Sequence, residues 1–381
     1  MLDYDGREQT KAKHAILGRY LEQLALITLS TFRSIDFIDA FAGPWESRDP
    51  ELKDTSIGIA LSVLQKVAEE RNLRRSDVCC IFNEKDPEAY QRLTAFERVA
   101  RERFPLVRMV TMQGKFEDNA HAIRAASNNT FRLLFVDPTG FTGFPPNAIE
   151  LFKGRPTEVI INFMSSFIGR FVAQPREEQL KWLTGLVGPN RAREFVDRKV
   201  GIDDLLYAYM EMVKDTLGYE FAAASPIHYP DTDGINFYLV YGTNHPKGMK
   251  VMRETEYGAL SEHEKERFNR KDANSPQIMM FPSAETHTGP YARKRMEHQA
   301  RAASVLLDLA RAAAGTEFAV LRARVQEQLY LRDQEIAAAA AELAERGKID
   351  ATWRLRGPRT RRPNDTDEIW PIGTNGVQDG V

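Results

Sequence analysis

The sequence has few cysteines. Only Cys79 and Cys80 occur among its 381 residues, and they are neighbours within an apolar run. Adjacent cysteines in such a run suit neither a loop-closing disulfide nor a zinc site, which needs several spaced ligands. We therefore expect both side chains in a hydrophobic core, where they are poor candidates for nucleophilic catalysis.

Long hydrophobic runs and a strong net charge are also lacking. No apolar segment approaches the roughly 18 to 20 residues of a membrane-spanning helix, and the first 20 residues lack the apolar centre of a signal peptide. The formal net charge of −2 gives no global positive field that would attract nucleic acid, although a local patch still can. We expect a protein of the reducing cytoplasm with no membrane partner.

Several ligand-binding motifs are missing. No G-x-G-x-x-G follows the first apolar run, where Trp45 and Glu46 come after Gly43-Pro44, so a dinucleotide fingerprint is absent. No G-x-x-x-x-G-K-[ST] occurs either, which excludes the P-loop NTPases. The seven histidines are scattered without the spacing of a metal site, and no metal is predicted.

Short β-rich runs alternate with helical stretches over about the first 250 residues, which predicts a parallel sheet with helices on its faces. A helix from Lys13 to Leu29 is expected first, and Ser56 is a candidate cap for the next one. The five predicted strands are Ile35–Phe41, Val78–Asn83, 106–113, Phe131–Pro138 and Thr157–Met164.

Two more β-rich runs flank the turn signal Asp233-Gly234, which predicts a terminal antiparallel hairpin. Seven strands ending in such a hairpin resemble the doubly wound, Rossmann-like fold of the class I S-adenosylmethionine-dependent methyltransferases. After about residue 285 the chain becomes rich in Ala and Arg and helical. We expect a methyltransferase-like domain at 1–285, a winged-helix-like domain at 286–375 and a loose tail at 376–381.

The predicted strand ends carry acidic residues and glycine, and ligands of open α/β sheets bind at this edge. The first ends in Asp39, Gly43 and Pro44, the second in Glu84, the third in Glu117 and Asp118, and the fourth in Asp137 and Phe141. Each signal alone is compatible with a plain turn or a solvated charged loop. Their occurrence at four successive strand ends favours a binding site.

The segments FIDAFAGP, SIGIAL, IFNEKD, LLFVDPTGF and GTNHPKGMKVM, with Lys13-His14 before them, resemble the three-Cys-motif partner proteins (TcmP) over nearly the whole chain. The resemblance implies a methyltransferase-like Rossmann domain and a radical-SAM-like partner that bears a three-cysteine motif. It implies no settled reaction. The sequence departs from the fuller D-x-F-A-G-x-G pattern, because Pro44 and Trp45 follow Gly43, and Trp45 can either stack on a ligand or fill its place.

The leading hypothesis is a methyltransferase-like protein acting on nucleic acid or a nucleoside, with S-adenosyl-L-methionine as cofactor. In it Asp39, Gly43 and Pro44 hold the amino-acid end of the cofactor and Glu84 the ribose. Glu117 or Asp118 lies on the adenine side. Asp137 orients or deprotonates the acceptor, and Phe141 and Trp45 offer stacking surfaces.

Two other functions stay open on the sequence alone. One is a non-catalytic partner or scaffold, and the other is a metal-dependent nuclease using Asp39, Glu84 and Asp137 around a divalent cation. The basic segment with Arg354 and Arg356 near the C-terminus can contact phosphates, or it can be a solvated hairpin.

Overall fold

A computed structural model describes residues 8–43, 52–127, 130–138, 144–164, 176–198, 201–273, 289–356 and 361–372. The chain divides into two units, residues 1–244 and 245–381. The division falls before the boundary at 285/286 expected from composition, so that the long helix after Asn244 groups with the second unit.

Among the described residues, seven strands form the sheet of the first unit in the order β3-β2-β1-β4-β5-β7-β6. Strands β1 to β5 are parallel, and β7 runs antiparallel to both β5 and β6. This confirms the Rossmann-like α/β fold with a terminal antiparallel hairpin. The strands are β1 Ile35–Asp39, β2 Val78–Glu84, β3 Arg108–Gln113, β4 Phe131–Val136, β5 Thr157–Phe163, β6 Phe221–His228 and β7 Ile235–Thr243.

Helices cover both faces of this sheet. The α-helices of the first unit are α1 Glu8–Thr31, α2 Ser56–Glu70, α3 Pro87–Arg103, α4 Phe116–Ala126, α5 Arg176–Val187, α6 Pro189–Arg198 and α7 Ile202–Leu217. The prediction that Ser56 caps α2 is wrong. Thr55 is the N-cap, and its hydroxyl accepts the Gly58 amide hydrogen at 3.2 Å, whereas Ser56 is the first helical residue.

Strands β1, β2, β4 and β5 are buried on both faces, which explains their nearly continuous apolar sequences, whereas the edge strand β3 is only half-buried. On one face, the Phe37 ring packs edge-to-face with Phe82 and stacks with Phe135, with ring centroids 6.4 and 6.3 Å apart. On the other face, alternate residues such as Ile38 and Leu134 join the core formed with α4 to α7. Cys79 and Cys80 are buried free thiols, as expected.

The second unit consists mainly of helices. Its elements are α8 Pro246–Ala273, α9 Pro290–Ala312, β8 Thr316–Glu317, α10 Phe318–Gln328, α11 Asp333–Glu345, a 3-10 helix Thr352–Arg356 and β9 Glu368–Ile369. Strands β8 and β9 pair antiparallel, and Ile349 forms a bridge with Pro371. The helix α8 is not predicted from the sequence.

A buried arginine organises the second unit. Arg322 is fully buried, and its guanidinium forms ion pairs with Asp333 at 2.8 Å and with Asp365. These contacts join α10 to the start of α11 and to the segment before β9. Within the described ranges, no helix combines the length and apolar character needed to cross a membrane.

Candidate functional site

A cavity of about 450 Å³ lies at the carboxyl ends of the parallel strands. Cavities of this size accommodate small molecules and cofactors. The predicted residues Gly43, Glu84, Glu117 and Asp118 all line it, together with Pro138, the residue after Asp137. The sheet therefore brings together side chains from four strand ends that are far apart in the sequence.

Glu84 ends β2 and presents one free oxygen at this cavity. The side chain is 6% exposed, and its Oε1 accepts the Asp86 amide hydrogen at 2.7 Å. That bond fixes the orientation of the carboxylate, and Oε2 has no hydrogen-bond partner among the residues described here. A fixed carboxylate with an open acceptor oxygen can bind a hydroxyl group of a ligand.

Asn83 links three strand ends. Its Nδ2 donates to the carbonyl oxygens of Ala40 at 3.3 Å and Gly114 at 3.0 Å, and its Oδ1 accepts from Asn119 at 2.8 Å. Its carbonyl oxygen also accepts the Ala42 amide hydrogen. Asn83 therefore holds β1, β2 and the turn after β3 in register around the cavity. Sequence reasoning did not assign it to the site.

Asp39 lies behind the cavity wall. It is fully buried, and its two carboxylate oxygens accept from the Phe41 amide at 3.0 Å and from the Ser56 hydroxyl at 2.7 Å. These bonds turn the chain after β1 and anchor it to the start of α2. The same chain then reaches Gly43, whose φ of +61° favours glycine.

Burial sets the charge state of Asp39. Burial raises its pKa to about 7, which exceeds the lowering effect of the Ser56 and Phe41 hydrogen bonds. The negative charge of Asp137 raises the pKa further and the Lys13 ammonium lowers it, so the three groups lie close enough to interact.

Asp137 follows β4 and is held by two partners. The Lys13 ammonium forms an ion pair with its Oδ2, and Asn162 donates from Nδ2 to its Oδ1 at 2.7 Å. Burial works to raise the pKa of Asp137, but the Lys13 charge and the two hydrogen bonds outweigh it and hold the pKa below its usual value. Asp137 is therefore ionised near neutral pH. Asn162 was not assigned to the site from the sequence, and Lys13 entered only as part of a motif.

An aromatic cluster forms part of the cavity wall. The rings of Phe41, Phe116 and Phe144 have centroids 5.9 to 6.2 Å apart, and all three residues line the cavity. Glu117 and Asp118 are exposed in the first turn of α4, beside this cluster. The cavity thus combines an apolar side with an acidic rim, and Lys85 and Lys115 add positive charge.

The remaining predicted residues are not among the described residues that line this cavity. Pro44, Trp45 and Phe141 lie outside the described residues. Arg354 and Arg356 belong to the second unit, where they pair with Glu345 at 3.4 Å and with Asp367, respectively. A role of these arginines in substrate binding stays a prediction.

The described carboxylates of the site are not grouped as a metal centre. Within the described residues, no three His, Cys, Asp or Glu side chains are grouped as metal ligands. The ammonium of Lys13 already neutralises Asp137. Burial raises the pKa of Cys79 to about 12, which suits a core thiol and not a nucleophile.

Comparisons with known proteins assign the chain to no family. No family model matches the chain, and no curated protein matches it. Among solved structures, it is similar to the crystal structure of a Legionella pneumophila protein assigned to the family model DUF519. The TM-score is 0.36 at 12% sequence identity, over 63% of this chain and 90% of that one.

Proposed function

We propose that the first unit is an S-adenosylmethionine-binding, methyltransferase-like domain acting on nucleic acid or a nucleoside. The observation that carries the proposal is the placement of an acid-rimmed cavity at the carboxyl ends of β1 to β4 in a sheet of order β3-β2-β1-β4-β5-β7-β6. That strand order, with β7 antiparallel, is the arrangement of the class I methyltransferase fold.

The chain's own residues fit such a cofactor. The free oxygen of Glu84 can accept from a ribose hydroxyl, and the aromatic cluster of Phe41, Phe116 and Phe144 offers an apolar surface for adenine. The turn at Gly43 lets the backbone approach the ligand closely. The three acidic side chains of the described lining outnumber its two lysines, which leaves a small excess of negative charge for a ligand with positive charges. When bound, S-adenosylmethionine supplies an electrophilic methyl group.

Asp39 fits a supporting role better than direct contact with the cofactor. Both of its oxygens are already hydrogen-bonded, and Ala40, Phe41 and Gly43 line the cavity in its place. We infer that Asp39 shapes the turn that binds the amino-acid part of the cofactor. Asp137 precedes the lining residue Pro138, and its two oxygens are likewise bonded, to Lys13 and to Asn162. Its role in orienting the methyl acceptor stays a prediction.

Isothermal titration of the full chain with S-adenosylhomocysteine tests the proposal. We expect saturable binding that weakens at least tenfold in Glu84→Gln, because one ribose contact is lost. Glu88→Gln is the matched control, since Glu88 is exposed in the first turn of α3 and lines no part of the cavity. Binding that is absent, or equal in both variants, would remove the cofactor assignment.

For the second unit we propose a winged-helix-like domain that docks a protein partner, in line with the implied radical-SAM-like three-Cys-motif protein. The order α9, β8, α10, α11, the Ile349 bridge and β9 supports the winged-helix interpretation. The exposed face of α11 carries Ala338, Glu342 and Glu345, and the two glutamates pair with Arg346 and Arg354. This face therefore offers no excess of positive charge to the phosphates of a nucleic acid.

Exposed apolar side chains favour a protein partner here. Trp370 and Ile372 are 47% and 51% exposed, and in an extended segment residues two apart face the same side. Co-purification with a three-Cys-motif protein tests this, with Trp370→Ser compared against Met296→Ser on α9, which is 60% exposed. Only the Trp370 variant should lose the partner. Tight, salt-sensitive binding of duplex DNA by this unit would favour the nucleic-acid alternative instead.

A further inference from the structure

Four arginine side chains gather around the C-terminus of α4. Arg108 donates from Nη2 to the Ala126 carbonyl oxygen at 2.9 Å. Arg132 and Arg155 donate to the Ser127 carbonyl oxygen at 3.1 and 3.3 Å, and Arg124 belongs to the last turn of α4 itself. We call this group the arginine cluster, and its members are Arg108, Arg124, Arg132 and Arg155.

Strand pairing places part of this cluster in one row across the sheet. The row consists of the directly paired residues Arg108, Cys79, Asp36, Arg132 and Thr157. Residues paired directly in a parallel sheet point to the same face, so these side chains share the face that α4 covers. Val136 lies four residues beyond Arg132 in β4, roughly 13 Å at about 3.3 Å per residue. The cluster therefore lies at the amino edge of the sheet, apart from the cavity at the carboxyl edge.

Positive charge exceeds negative charge in the arginine cluster. Arg108, Arg124 and Arg155 form no ion pair with a carboxylate in the described part of the chain. A helix C-terminus carries about −0.5 charge and Asp36 at most one, so together they offset about 1.5 of the four positive charges. Burial lowers the pKa of Arg132, the Asp36 charge raises it, and the charges of Arg155 and Arg124 lower it again. The guanidinium groups are therefore close enough to repel one another.

Two buried polar atoms at the cluster have no hydrogen-bond partner in the described chain. One is Nε of Arg124. The other is Oγ1 of Thr157, a residue that is 4% exposed and lies beside Arg132 in the row. Both atoms can donate, and buried donors without a partner are unfavourable and call for an explanation. An acceptor group supplied by a ligand provides one.

Capping of α4 does not account for the whole cluster. Cations near a helix C-terminus stabilise it by binding its last carbonyl groups, as Arg132 does. Arg124 donates to none of these carbonyls among the described residues, and Arg108 and Arg155 use one nitrogen each. Their other N–H groups stay available, and a guanidinium group binds the oxygens of a phosphate in a forked geometry.

We propose that the arginine cluster is an oxyanion site that binds a phosphate group through Arg108, Arg124 and Arg155. Arg132 is a positioning residue, because Ser127 and Thr130 already accept from its guanidinium. The inference goes beyond the proposed function and does not depend on it, since the two sites occupy opposite edges of the sheet. A free phosphate compound and the backbone of a nucleic acid present the same chemistry to the cluster.

Isothermal titration of the full chain tests the site with three probes at equal ionic strength. Inorganic pyrophosphate represents a free phosphate compound, a short single-stranded oligonucleotide represents the nucleic-acid backbone, and acetate is a singly charged control. We expect saturable binding of pyrophosphate or of the oligonucleotide that is about tenfold or more tighter than that of acetate. Binding of pyrophosphate identifies a free phosphate compound as sufficient, whereas binding of the oligonucleotide alone identifies the backbone as the source.

The binding must depend on the cluster. In the double variant Arg124→Gln, Arg155→Gln we expect the affinity for the bound probe to fall about tenfold or more. Arg124→Gln alone is the second variant if the double variant does not fold, because it removes no hydrogen bond within the described chain. Arg98→Gln is the matched control, since Arg98 is exposed on α3, outside the row, and its loss should leave the affinity unchanged within about twofold.

Three results overturn the site. They are the absence of binding of both phosphate probes, binding of acetate as tight as theirs, and binding that survives in the Arg124 variants or falls equally in Arg98→Gln. Thermal unfolding without added anion shows that each variant is folded before it is titrated.

Discussion

At the scale of single residues, Asp39 is a carboxyl group whose burial opposes its ionisation. Its pKa of about 7 in the folded chain lies above the ordinary value of 3.8. The folded state therefore binds the proton more tightly than the unfolded state does. The resulting contribution to stability is complete below the unfolded pKa and is lost as the pH rises through about 7.

The first prediction concerns Asp39→Asn, which cannot ionise. We expect the free energy of unfolding of the wild type to fall relative to that of the variant as the pH rises from about 5 to about 8. The change over this range is at most about 3 kcal/mol, since about 2 pH units lie between pH 5 and the folded pKa of about 7 and each corresponds to about 1.4 kcal/mol. Urea unfolding across this range measures it. A difference between the two proteins that does not change with pH would contradict the buried, proton-binding state of Asp39.

The second prediction concerns Lys13, whose contribution to the free energy of unfolding should depend on pH in the opposite direction. Lys13→Met leaves Asp137 buried without its cation, and we expect a loss of roughly 3 kcal/mol in the free energy of unfolding near neutral pH. The loss should shrink on acidification, because the low pKa of Asp137 means that the ion pair stabilises the fold only while the carboxylate is ionised.

Lys66→Met is the matched control for this change. Lys66 pairs with Glu22 at 2.6 Å, but their side chains are 59% and 30% exposed, so water and salt screen the pair and its loss should change the stability little. Chemical denaturation of both variants at two pH values makes the comparison. Equal losses in the two variants would show that the Lys13 pair is no more than a surface contact.

At the scale of elements, the start of α2 is packed tightly against the chain that precedes it. A Cβ atom added at Gly58 would lie 2.0 Å from the Leu52 carbonyl oxygen, which is backbone and cannot move aside cheaply. The absence of a side chain at Gly58 lets the first turn of α2 approach the Leu52 backbone closely. The same turn carries Ser56, which donates to Asp39.

The third prediction follows from that contact. Gly58→Ala should lower the free energy of unfolding by about 2 kcal/mol or more, because the backbone must shift to relieve the overlap. Gly185→Ala is the control, since its Cβ would meet only Pro145 at 3.9 Å and alanine is the better helix former. Thermal unfolding of the two variants should move in opposite directions. A Gly58→Ala variant as stable as the wild type would mean that the Leu52 segment does not pack as described.

The sheet was predictable because each central strand is a short apolar run, and Asp233-Gly234 indicated the hairpin. The residues at which the strands end were harder to predict. Strand β1 stops at Asp39 and not at Phe41, because the Asp39 side chain captures the Phe41 amide and turns the chain. The cap of α2 was also misassigned, because two neighbouring hydroxyl residues, Thr55 and Ser56, both match the capping pattern. The structure shows that Thr55 is the N-cap.

The site was predictable only in part, for a physical reason. Gly43, Glu84, Glu117 and Asp118 lie at strand ends, so topology alone brings them to the cavity. Lys13 reaches Asp137 across 124 residues of sequence. No local spacing encodes such a contact. Likewise Asn83 and Asn162 reveal their roles only through partners on neighbouring strands.

At the scale of the whole molecule, a ligand that binds only the folded chain stabilises it. The fourth prediction is that S-adenosylhomocysteine at about 100 times its Kd raises the free energy of unfolding by about 2.7 kcal/mol. Urea unfolding of the full chain monitors it. Glu84→Gln at the same ligand concentration should gain clearly less, and an equal gain would place the binding site elsewhere.

The central claim is that the cavity at the carboxyl ends of β1 to β4 encloses an adenosyl group, and a crystal structure of the chain with S-adenosylhomocysteine tests it most directly. We expect the ribose hydroxyls within hydrogen-bond distance of Glu84 and the adenine against the cluster of Phe41, Phe116 and Phe144. A cavity filled by the protein's own side chains, or the ligand bound away from Glu84, would contradict the account.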